Sequence, residues 1–239
     1  MRFKNATNFR DLAANVSVPL RRGRLYRSDH LGALDEGDAV AIRALGVSRV
    51  LDFRGVDERT SAACRLPDVQ VHSLAIEPTI VQVLSELMAA GHKLTAADVV
   101  AHMQDTYRGF VRHSTHRFAE FFGLLLESDE PTVFHCTAGK DRTGFAAVLV
   151  LKALGADDDE VTRDYMQTNE LLQPATIRGD WALPEHAAKV LYGVQPAFLD
   201  AALEEIDANW GGMQDYLRVG LGLGEAESQR LRALYLEKS

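Results

Sequence analysis

Short apolar segments alternate with amphipathic ones along much of this chain. Residues 47–53 and 69–74 are rich in β-branched and other apolar side chains and are bounded by polar turns, which predicts two buried strands. Residues 132–135 predict a third strand and residues 24–27 a fourth. Strands that alternate with helices favour a mostly parallel sheet with helices on both faces. We therefore expect an α/β fold with a central sheet of about four to five strands.

Apolar residues at helical spacing predict the helices between these strands. Residues 38–45 form the first helix, and residues 115–126 form another with four apolar side chains on one face. Residues 143–154 follow the third strand and stop at Gly155, since glycine is favoured just past a helix end. From Gly155 onwards the pattern is helical to the C-terminus.

The composition indicates one domain spanning residues 1–239. Hydrophobic residues make up 46% of the chain, enough for a real core, and no linker rich in Pro, Gly or Ser divides it. The net charge of −8 argues against nucleic acid as a partner, because phosphate backbones need a basic surface. No apolar stretch is long enough to predict a membrane span, and no signal peptide is visible. We therefore expect a cytoplasmic location.

Two cysteines, Cys64 and Cys136, exclude a disulfide scaffold and favour a reducing compartment. Two interpretations of Cys64 stay open. It is either a resolving thiol that protects an oxidised Cys136 or an inert, buried cysteine.

Residues 135–144 carry the candidate chemistry and read His-Cys-Thr-Ala-Gly-Lys-Asp-Arg-Thr-Gly. Cys136 and Arg142 are separated by five residues, with a predicted strand before them and a helix after them. A helix N-terminus offers unpaired N–H groups and a positive dipole end, and successive N–H groups of a loop form an anion nest. The Arg142 guanidinium matches two phosphate oxygens at once. The segment therefore predicts a phosphate cradle with a cysteine at its floor.

Each polar residue of this segment has an expected role. A helix N-terminus and a nearby cation both favour the thiolate, so we expect Cys136 to be the nucleophile. A carboxyl beside a phosphate dianion resists ionisation, which suits Asp141 as the general acid. We expect His135 to orient the loop through a backbone contact and the Thr143 hydroxyl to bond the thiolate. Lys140 is available for a second substrate phosphate. The expected substrate-binding residues are Thr137, Ala138, Gly139, Lys140, Thr143 and Gly144.

Three alternatives fit the segment less well. A buried core cysteine beside a surface arginine would leave the glycines and Asp141 without a purpose. A nucleotide-binding P-loop requires Ser or Thr after Gly139-Lys140, where Asp141 stands. Sulfur-transfer domains also use a cysteine loop but lack the run from Lys140 to Gly144.

The segment resembles the signature loop of the protein-tyrosine-phosphatase superfamily. Its Gly-Lys-Asp-Arg-Thr-Gly form resembles a bacterial branch of atypical phosphatases that act on phosphotyrosine and often on phosphoinositides. Asn8-Phe-Arg-Asp-Leu, Gly23-Arg-Leu-Tyr-Arg-Ser-Asp-His-Leu and Leu51-Asp-Phe-Arg are similar to upstream segments of that branch. One departure is Ala13-Ala14, where the family usually has glycines. The resemblance spans most of the chain and implies that Asp141 is the acid and that no cofactor or metal is needed.

Polar residues of the upstream segments are candidates for a supporting shell around the loop. Asp52 and Arg54 end the second predicted strand, where they would face the pocket. Asn8, Arg10 and Asp29 are further candidates from the family segments. Each of these residues can equally be a structural hydrogen-bonding residue, and Arg54 with Glu58 can be a surface helix pair.

Residues 76–113 form a long, mostly helical insertion between the second strand and the next helix. The resemblance implies a lid over the active site, which would keep water from a phosphoenzyme. A packed helical hairpin is the other interpretation. An apolar set at helical spacing consists of Val81, Val83, Leu84, Leu87 and Met88.

We therefore expect a cysteine-dependent phosphomonoester hydrolase that forms a phosphocysteine. The expected substrates are phosphotyrosine or dual-specificity phosphoprotein sites, phosphoinositides, or both, with inorganic phosphate as product and pocket ligand. The alternative is a catalytically silent phosphate-binding module of the same fold. The resemblance also allows export without a visible signal peptide.

Overall fold

The computed structural model describes residues 2–77, 79–172 and 183–237, without the side chains at positions 79, 81 and 82. Within these residues one sheet has five strands in the order β1-β2-β5-β3-β4. Only β1 and β2 pair antiparallel, and the other pairs are parallel. The expected α/β class and mostly parallel sheet are confirmed. The strands are β1 Arg10–Asp11, β2 Leu25–Ser28, β3 Arg49–Asp52, β4 Gln70–Ser73 and β5 Thr132–His135.

Helices connect and flank the strands. A 3₁₀ turn, Leu12–Asn15, contains the two alanines that replace the glycines usual in the family. A π-helical turn, Tyr216–Gly220, follows α10. The helices are α1 Glu36–Ala44, α2 Val56–Ser61, α3 Thr79–Ala89, α4 Ala96–His113, α5 Thr115–Glu127, α6 Arg142–Leu154, α7 Asp158–Leu171, α8 Glu185–Tyr192, α9 Pro196–Trp210, α10 Met213–Asp215 and α11 Glu225–Tyr235.

The register of the parallel strands brings their carboxyl ends into one row. His135 of β5 lies opposite Ser28 of β2 and Asp52 of β3, and Asp52 lies opposite Ser73 of β4. The segments that follow these strands therefore leave the sheet at the same edge. Ligand sites of open parallel sheets form at this edge.

Two hydrophobic clusters cover the two faces of the sheet. Successive strand residues point to opposite faces, so Val133 joins the smaller cluster and Phe134 the larger one. The larger cluster contains most of α6 and the aromatic face of α5. Burial on both faces explains why these strands read as continuous apolar runs.

One strand expectation is wrong in its burial. The sequence predicts a buried strand over residues 69–74, but Gln70, Val71 and Ser73 of β4 are exposed, whereas Leu74 is buried. β4 pairs only with β3 and forms the edge of the sheet. A run of apolar residues predicts a strand but does not say whether that strand lies at an edge.

The insertion contributes to the core. Val99, Met103, Tyr107, Phe110 and Val111 of α4 are buried, and α4 packs against α9 and α8. This agrees with the packed interpretation for α4. A lid role for residues 76–113 stays a prediction.

Every helix in the described part of the chain is too short or too polar to span a lipid bilayer.

Candidate active site

The Cys-x5-Arg segment forms a loop between β5 and α6. β5 ends at His135, α6 begins at Arg142, and Cys136 is only 2% exposed. The first ten residues of α6 are buried, so the helix is anchored in the core with its N-terminus at the loop. The loop therefore combines a rigid base with the positive end of a helix dipole.

The backbone of the loop is held from outside by its carbonyl groups. Asn8 Nδ2 donates to the carbonyls of Ala138 and Gly139, both at 3.0 Å, and Arg27 Nη2 donates to the Gly139 carbonyl at 2.8 Å. In a planar trans peptide the C=O and the N–H point in opposite directions. Holding these two carbonyls outward therefore turns the next two N–H groups, those of Gly139 and Lys140, inward.

The inward N–H groups have the arrangement of a nest, which in other proteins binds anions. From residue 137 to residue 141, no backbone N–H finds an acceptor within the described part of the chain. Unpaired N–H groups at a helix N-terminus are the usual binding site for phosphate.

Gly139 is required by the geometry of this loop. Its φ is +66°, in the left-handed region, and an added Cβ would lie 2.3 Å from the carbonyl oxygen of Ser28. A side chain at this position would therefore displace either the loop or β2.

A buried ionic cluster fixes the position of Arg27, which binds the loop, and of Arg10, which binds Asn8. Asp164 on α7 accepts from Arg10 Nε at 2.8 Å and from Arg27 Nη1 at 2.6 Å. Burial alone would raise the pKa of Asp164, but the two arginines more than reverse this and lower it. Arg10 in turn donates to Asn8 Oδ1.

Asp29 supports the same region from the end of β2. Its carboxylate accepts from the backbone N–H of Asn8 at 3.2 Å and of Thr7 at 3.0 Å. Burial raises the pKa of Asp29 to about 6, although these hydrogen bonds lower it in part. Asn8, Arg10 and Asp29 thus all lie behind the loop.

Glu58 holds Arg142. Arg142 Nη1 donates to Glu58 Oε2 at 2.7 Å and to the Ile76 carbonyl at 2.8 Å, and Nη2 donates to Glu58 Oε1 at 2.9 Å. Burial lowers the pKa of Arg142, but the bonds to Glu58 more than offset this, with further contributions from the charges of Cys136 and Asp141, so the pKa is raised.

The contact with Glu58 leaves part of the guanidinium available. Of its five hydrogens, those on Nη1 and one on Nη2 are used. Nε–H and the second Nη2 hydrogen share the other edge and have no acceptor among the described residues. Such an edge matches two oxygens of a phosphate.

Asp52, Arg54 and His135 lie beneath the loop and not in the cleft. Arg54 forms a two-pronged ion pair with Asp52, with distances of 2.7–3.1 Å, and both are 1% exposed. The interpretation of Arg54 and Glu58 as a surface pair is wrong, because Arg54 is buried and the Glu58 carboxylate binds Arg142. His135 Nδ1 donates to the Cys136 carbonyl at 3.0 Å, which agrees with an orienting role. Burial lowers its pKa and keeps the ring neutral.

The Asp141 carboxyl group accepts two hydrogen bonds, both at Oδ1. Tyr107 Oη donates to Asp141 Oδ1 at 3.1 Å, and Lys140 Nζ donates to the same oxygen at 2.9 Å. Lys140 is 4% exposed and also contacts the Gly193 carbonyl. Its contact with a second substrate phosphate stays a prediction, which this placement does not support.

Three further predicted residues have these positions. The Thr143 hydroxyl is buried without a hydrogen-bond partner among the described residues, so its bond to the thiolate is not formed here and stays a prediction. The Thr137 hydroxyl donates to Glu58 Oε1. Gly144 packs against the ring of Tyr165, where an added Cβ would lie 3.2 Å from a ring carbon.

A cleft of about 380 Å³ continues from the loop between α3 and α4. Asp141 and Arg142 line it together with apolar and polar side chains from both helices and the segment before them, the polar ones including Glu77, Asp105 and Arg112. Gly109 of α4 also lies on its wall. The apolar lining includes Ile76, Ile80, Val83 and Phe110.

A sequence model described as the tyrosine phosphatase family matches residues 1–237. The chain belongs to the tyrosine phosphatase family. It is 30% identical, over 97% of both chains, to the triple specificity protein phosphatase PtpB of Mycobacterium tuberculosis. It is 32% identical to a Cupriavidus necator protein whose name marks it provisionally as a tyrosine-protein phosphatase, over 98% of this chain and 87% of that one. A Pseudomonas aeruginosa structure, TpbA, overlaps 79% of this chain and 91% of its own with a TM-score of 0.32 and 18% identity, too low to support an argument.

The family membership identifies the protein as a phosphoric monoester hydrolase with phosphorylated substrates.

Five residues at the site were missed or misjudged by sequence reasoning. A charged residue inside a predicted buried strand could have pointed to Arg27, and a carboxylate shortly after a strand end could have pointed to Glu58. Tyr107 lies on α4, and Asp164 and Tyr165 lie on α7, both outside the segments that resemble the family. No local sequence signal marks these three residues.

Cys64 lies against the smaller hydrophobic cluster, whereas Cys136 belongs to the larger one. Burial raises the pKa of the Cys64 thiol, which disfavours the thiolate that a resolving cysteine needs. The resolving role stays a prediction.

Replacement of Gly139 by Ala should abolish most activity of this family member. The Cβ would clash with the Ser28 carbonyl and turn the N–H nest, so kcat/KM should fall by about a hundred-fold or more. Gly155→Ala is the matched control. It has φ +95° but no neighbour within 4 Å of an added Cβ, so it should cost only about 1–2 kcal/mol of stability. Equal kinetics in both variants would contradict this account.

Replacement of Glu58 by Gln should weaken the contact that positions the Arg142 guanidinium. Glutamine replaces one of the two acceptor oxygens by an NH2 donor, so the two-pronged contact with Arg142 is lost. We expect kcat/KM to fall by roughly ten- to a hundred-fold, measured with an aryl phosphate. Glu120→Gln removes an exposed partner of Arg117 and serves as the control, because such pairs contribute little. Unchanged kinetics in the Glu58 variant would show that Arg142 is positioned without it.

Proposed function

We propose that this enzyme hydrolyses phosphotyrosine and related aryl phosphates through a phosphocysteine at Cys136. The observation that carries the proposal is the nest of inward N–H groups around Cys136, beside an Arg142 whose Nε edge remains available. These groups would stabilise the equatorial phosphate oxygens by preorganised electrostatics.

The proposed reaction has two steps. In the first, the Cys136 thiolate attacks phosphorus, the bond to the leaving oxygen breaks, and Asp141 gives that oxygen a proton. In the second, water attacks phosphorus, the S–P bond breaks, and Asp141 takes up a proton. The products are the dephosphorylated alcohol, inorganic phosphate and the restored thiolate.

The cleft supports an aromatic leaving group. A general acid must face the leaving oxygen, so the space lined by Asp141 would receive the group that departs. Ile76, Ile80 and Phe110 provide an apolar lining for a ring. Lys140, which would contact a second phosphate of a substrate such as a phosphoinositide, instead donates to Asp141.

The first test measures phosphate release without added metal from phosphotyrosine, phosphoserine and phosphothreonine peptides and from phosphoinositides. The name of the Mycobacterium tuberculosis relative, a triple specificity phosphatase, is the reason for a broad panel. We expect the highest kcat/KM for phosphotyrosine peptides. Cys136→Ser should lower turnover at least about a thousand-fold while retaining substrate binding.

Turnover retained in Cys136→Ser would refute the mechanism. Higher activity on phosphoinositides than on every peptide would move the substrate class to lipid head groups. Binding without turnover by the wild-type protein would favour a silent phosphate-binding module.

Gly109 provides a test of the proposed leaving-group cleft. An added Cβ there would meet only His113, at 3.9 Å, so Gly109→Leu should fold and fill the cleft. We expect the KM for a phosphotyrosine peptide to rise about tenfold, whereas inhibition by inorganic phosphate, which needs only the loop, should not change.

Gly123→Leu on the exposed side of α5 is the matched control. Both variants replace a glycine inside a helix, so each should gain about 0.5–1 kcal/mol of helix stability. Only the Gly109 variant should change the KM. An equal KM in both variants would place the leaving group outside this cleft.

A further inference from the structure

Two buried tyrosines connect the helical framework to Asp141. Tyr107 of α4 and Tyr165 of α7 are both 0% exposed, and their hydroxyl oxygens are 2.7 Å apart. Tyr107 Oη is also 3.1 Å from Asp141 Oδ1. Three residues from separate parts of the polypeptide thus form a series of two hydrogen bonds that ends at Asp141, the proposed general acid.

The direction of this chain follows from counting hydrogens. A phenol has one hydrogen to donate. Because Tyr107 donates its hydrogen to Asp141, Tyr165 must be the donor to Tyr107. Burial and the charges of Tyr165 and Asp141 raise the pKa of Tyr107 well above its ordinary value. Burial, followed by the charge of Asp141, raises the pKa of Tyr165. Both hydroxyls therefore remain protonated at neutral pH.

The two oxygens of Asp141 differ in their surroundings. Lys140 Nζ and Tyr107 Oη both donate to Oδ1, and these are the hydrogen bonds that the side chain makes within the described part of the chain. A proton on Oδ1 would point toward two donors. The proton of the neutral acid therefore belongs on Oδ2.

The hydroxyl of Tyr107 is not needed for packing. Its ring lies against Phe110 and Phe198, with centroids 5.1 and 5.9 Å away, so phenylalanine would fit the same aromatic cluster. The hydroxyl contacts only Asp141 and Tyr165 among the described residues. A buried hydroxyl with these two partners points to a role in orienting the carboxyl group.

We propose that Tyr107, held by Tyr165, is a positioning residue that orients Asp141 so that Oδ2 delivers the proton to the leaving oxygen. This inference rests on the proposed function, in which Asp141 is the general acid. It gives the insertion at residues 76–113 a part in the chemistry that does not depend on a lid.

The test is the dependence of kcat/KM on the leaving group for Tyr107→Phe. A series of aryl phosphates should run from a nitrophenol, which leaves readily, to an unactivated phenol that resembles tyrosine. We expect a loss of about tenfold for the poorest leaving group and less than about twofold for the best, because good leaving groups need little protonation.

Two comparison variants make the result specific. Tyr216→Phe removes the hydroxyl of another buried tyrosine, which contacts Thr115 at 3.0 Å, and should leave the leaving-group dependence unchanged. Asp141→Asn removes the acid. Its loss of kcat/KM should increase toward poorer leaving groups, as in Tyr107→Phe, but more steeply. Tyr165→Phe removes only the donor to Tyr107 and should give a weaker effect in the same direction.

The outcomes separate the inference from the function on which it rests. An equal loss across the series in Asp141→Asn would place the acid elsewhere and overturn both. A steep dependence in Asp141→Asn, with Tyr107→Phe behaving like Tyr216→Phe, would overturn only the role of Tyr107. If Tyr107→Phe does not fold, Tyr165→Phe provides the same test, and a flat response in it would overturn the inference.

Discussion

The site depends on the way in which two carbonyl groups are held. Asn8 and Arg27 bind the carbonyls of Ala138 and Gly139 from outside the loop. Since a peptide unit is planar, this contact directs the following N–H groups toward the space above Cys136. Gly139 makes the arrangement possible by adopting a left-handed conformation beside Ser28. The proposed phosphate site is therefore built into the backbone before any substrate arrives.

Buried arginines maintain this arrangement, and each is paired with a buried or half-buried carboxylate. Arg10 and Arg27 share Asp164, Arg54 binds Asp52, and Arg142 binds Glu58. Removing one member of such a pair leaves an uncompensated buried charge, which commonly costs about 3–5 kcal/mol. The pairs add geometry as well as charge balance, because a planar guanidinium held on one edge presents its other edge in a fixed direction.

The helical insertion contributes to the core and to the site at the same time. The buried face of α4 packs against α9, and the same helix brings Tyr107 to Asp141 and Gly109 to the cleft. Packing of this face fixes the position of Tyr107 beside Asp141 and the width of the cleft. A change in the packing of α4 is therefore expected to alter leaving-group selectivity more than phosphate binding.

The sequence by itself determined the fold class, most strand positions and the Cys-x5-Arg loop between β5 and α6, because these depend on local signals. Each signal lies within a few residues: the spacing of apolar side chains, the glycine at position 155, and the spacing of Cys136 and Arg142. It left the surroundings of the loop open: Arg54 had two interpretations and Lys140 was expected to face substrate. Only the tertiary structure decided that Glu58 holds Arg142, that Lys140 turns to Asp141, and that β4 lies at an edge. The first two outcomes depend on which side chains compete for one buried charge or hydrogen bond, and the third depends on the order of the strands. No local pattern carries that information.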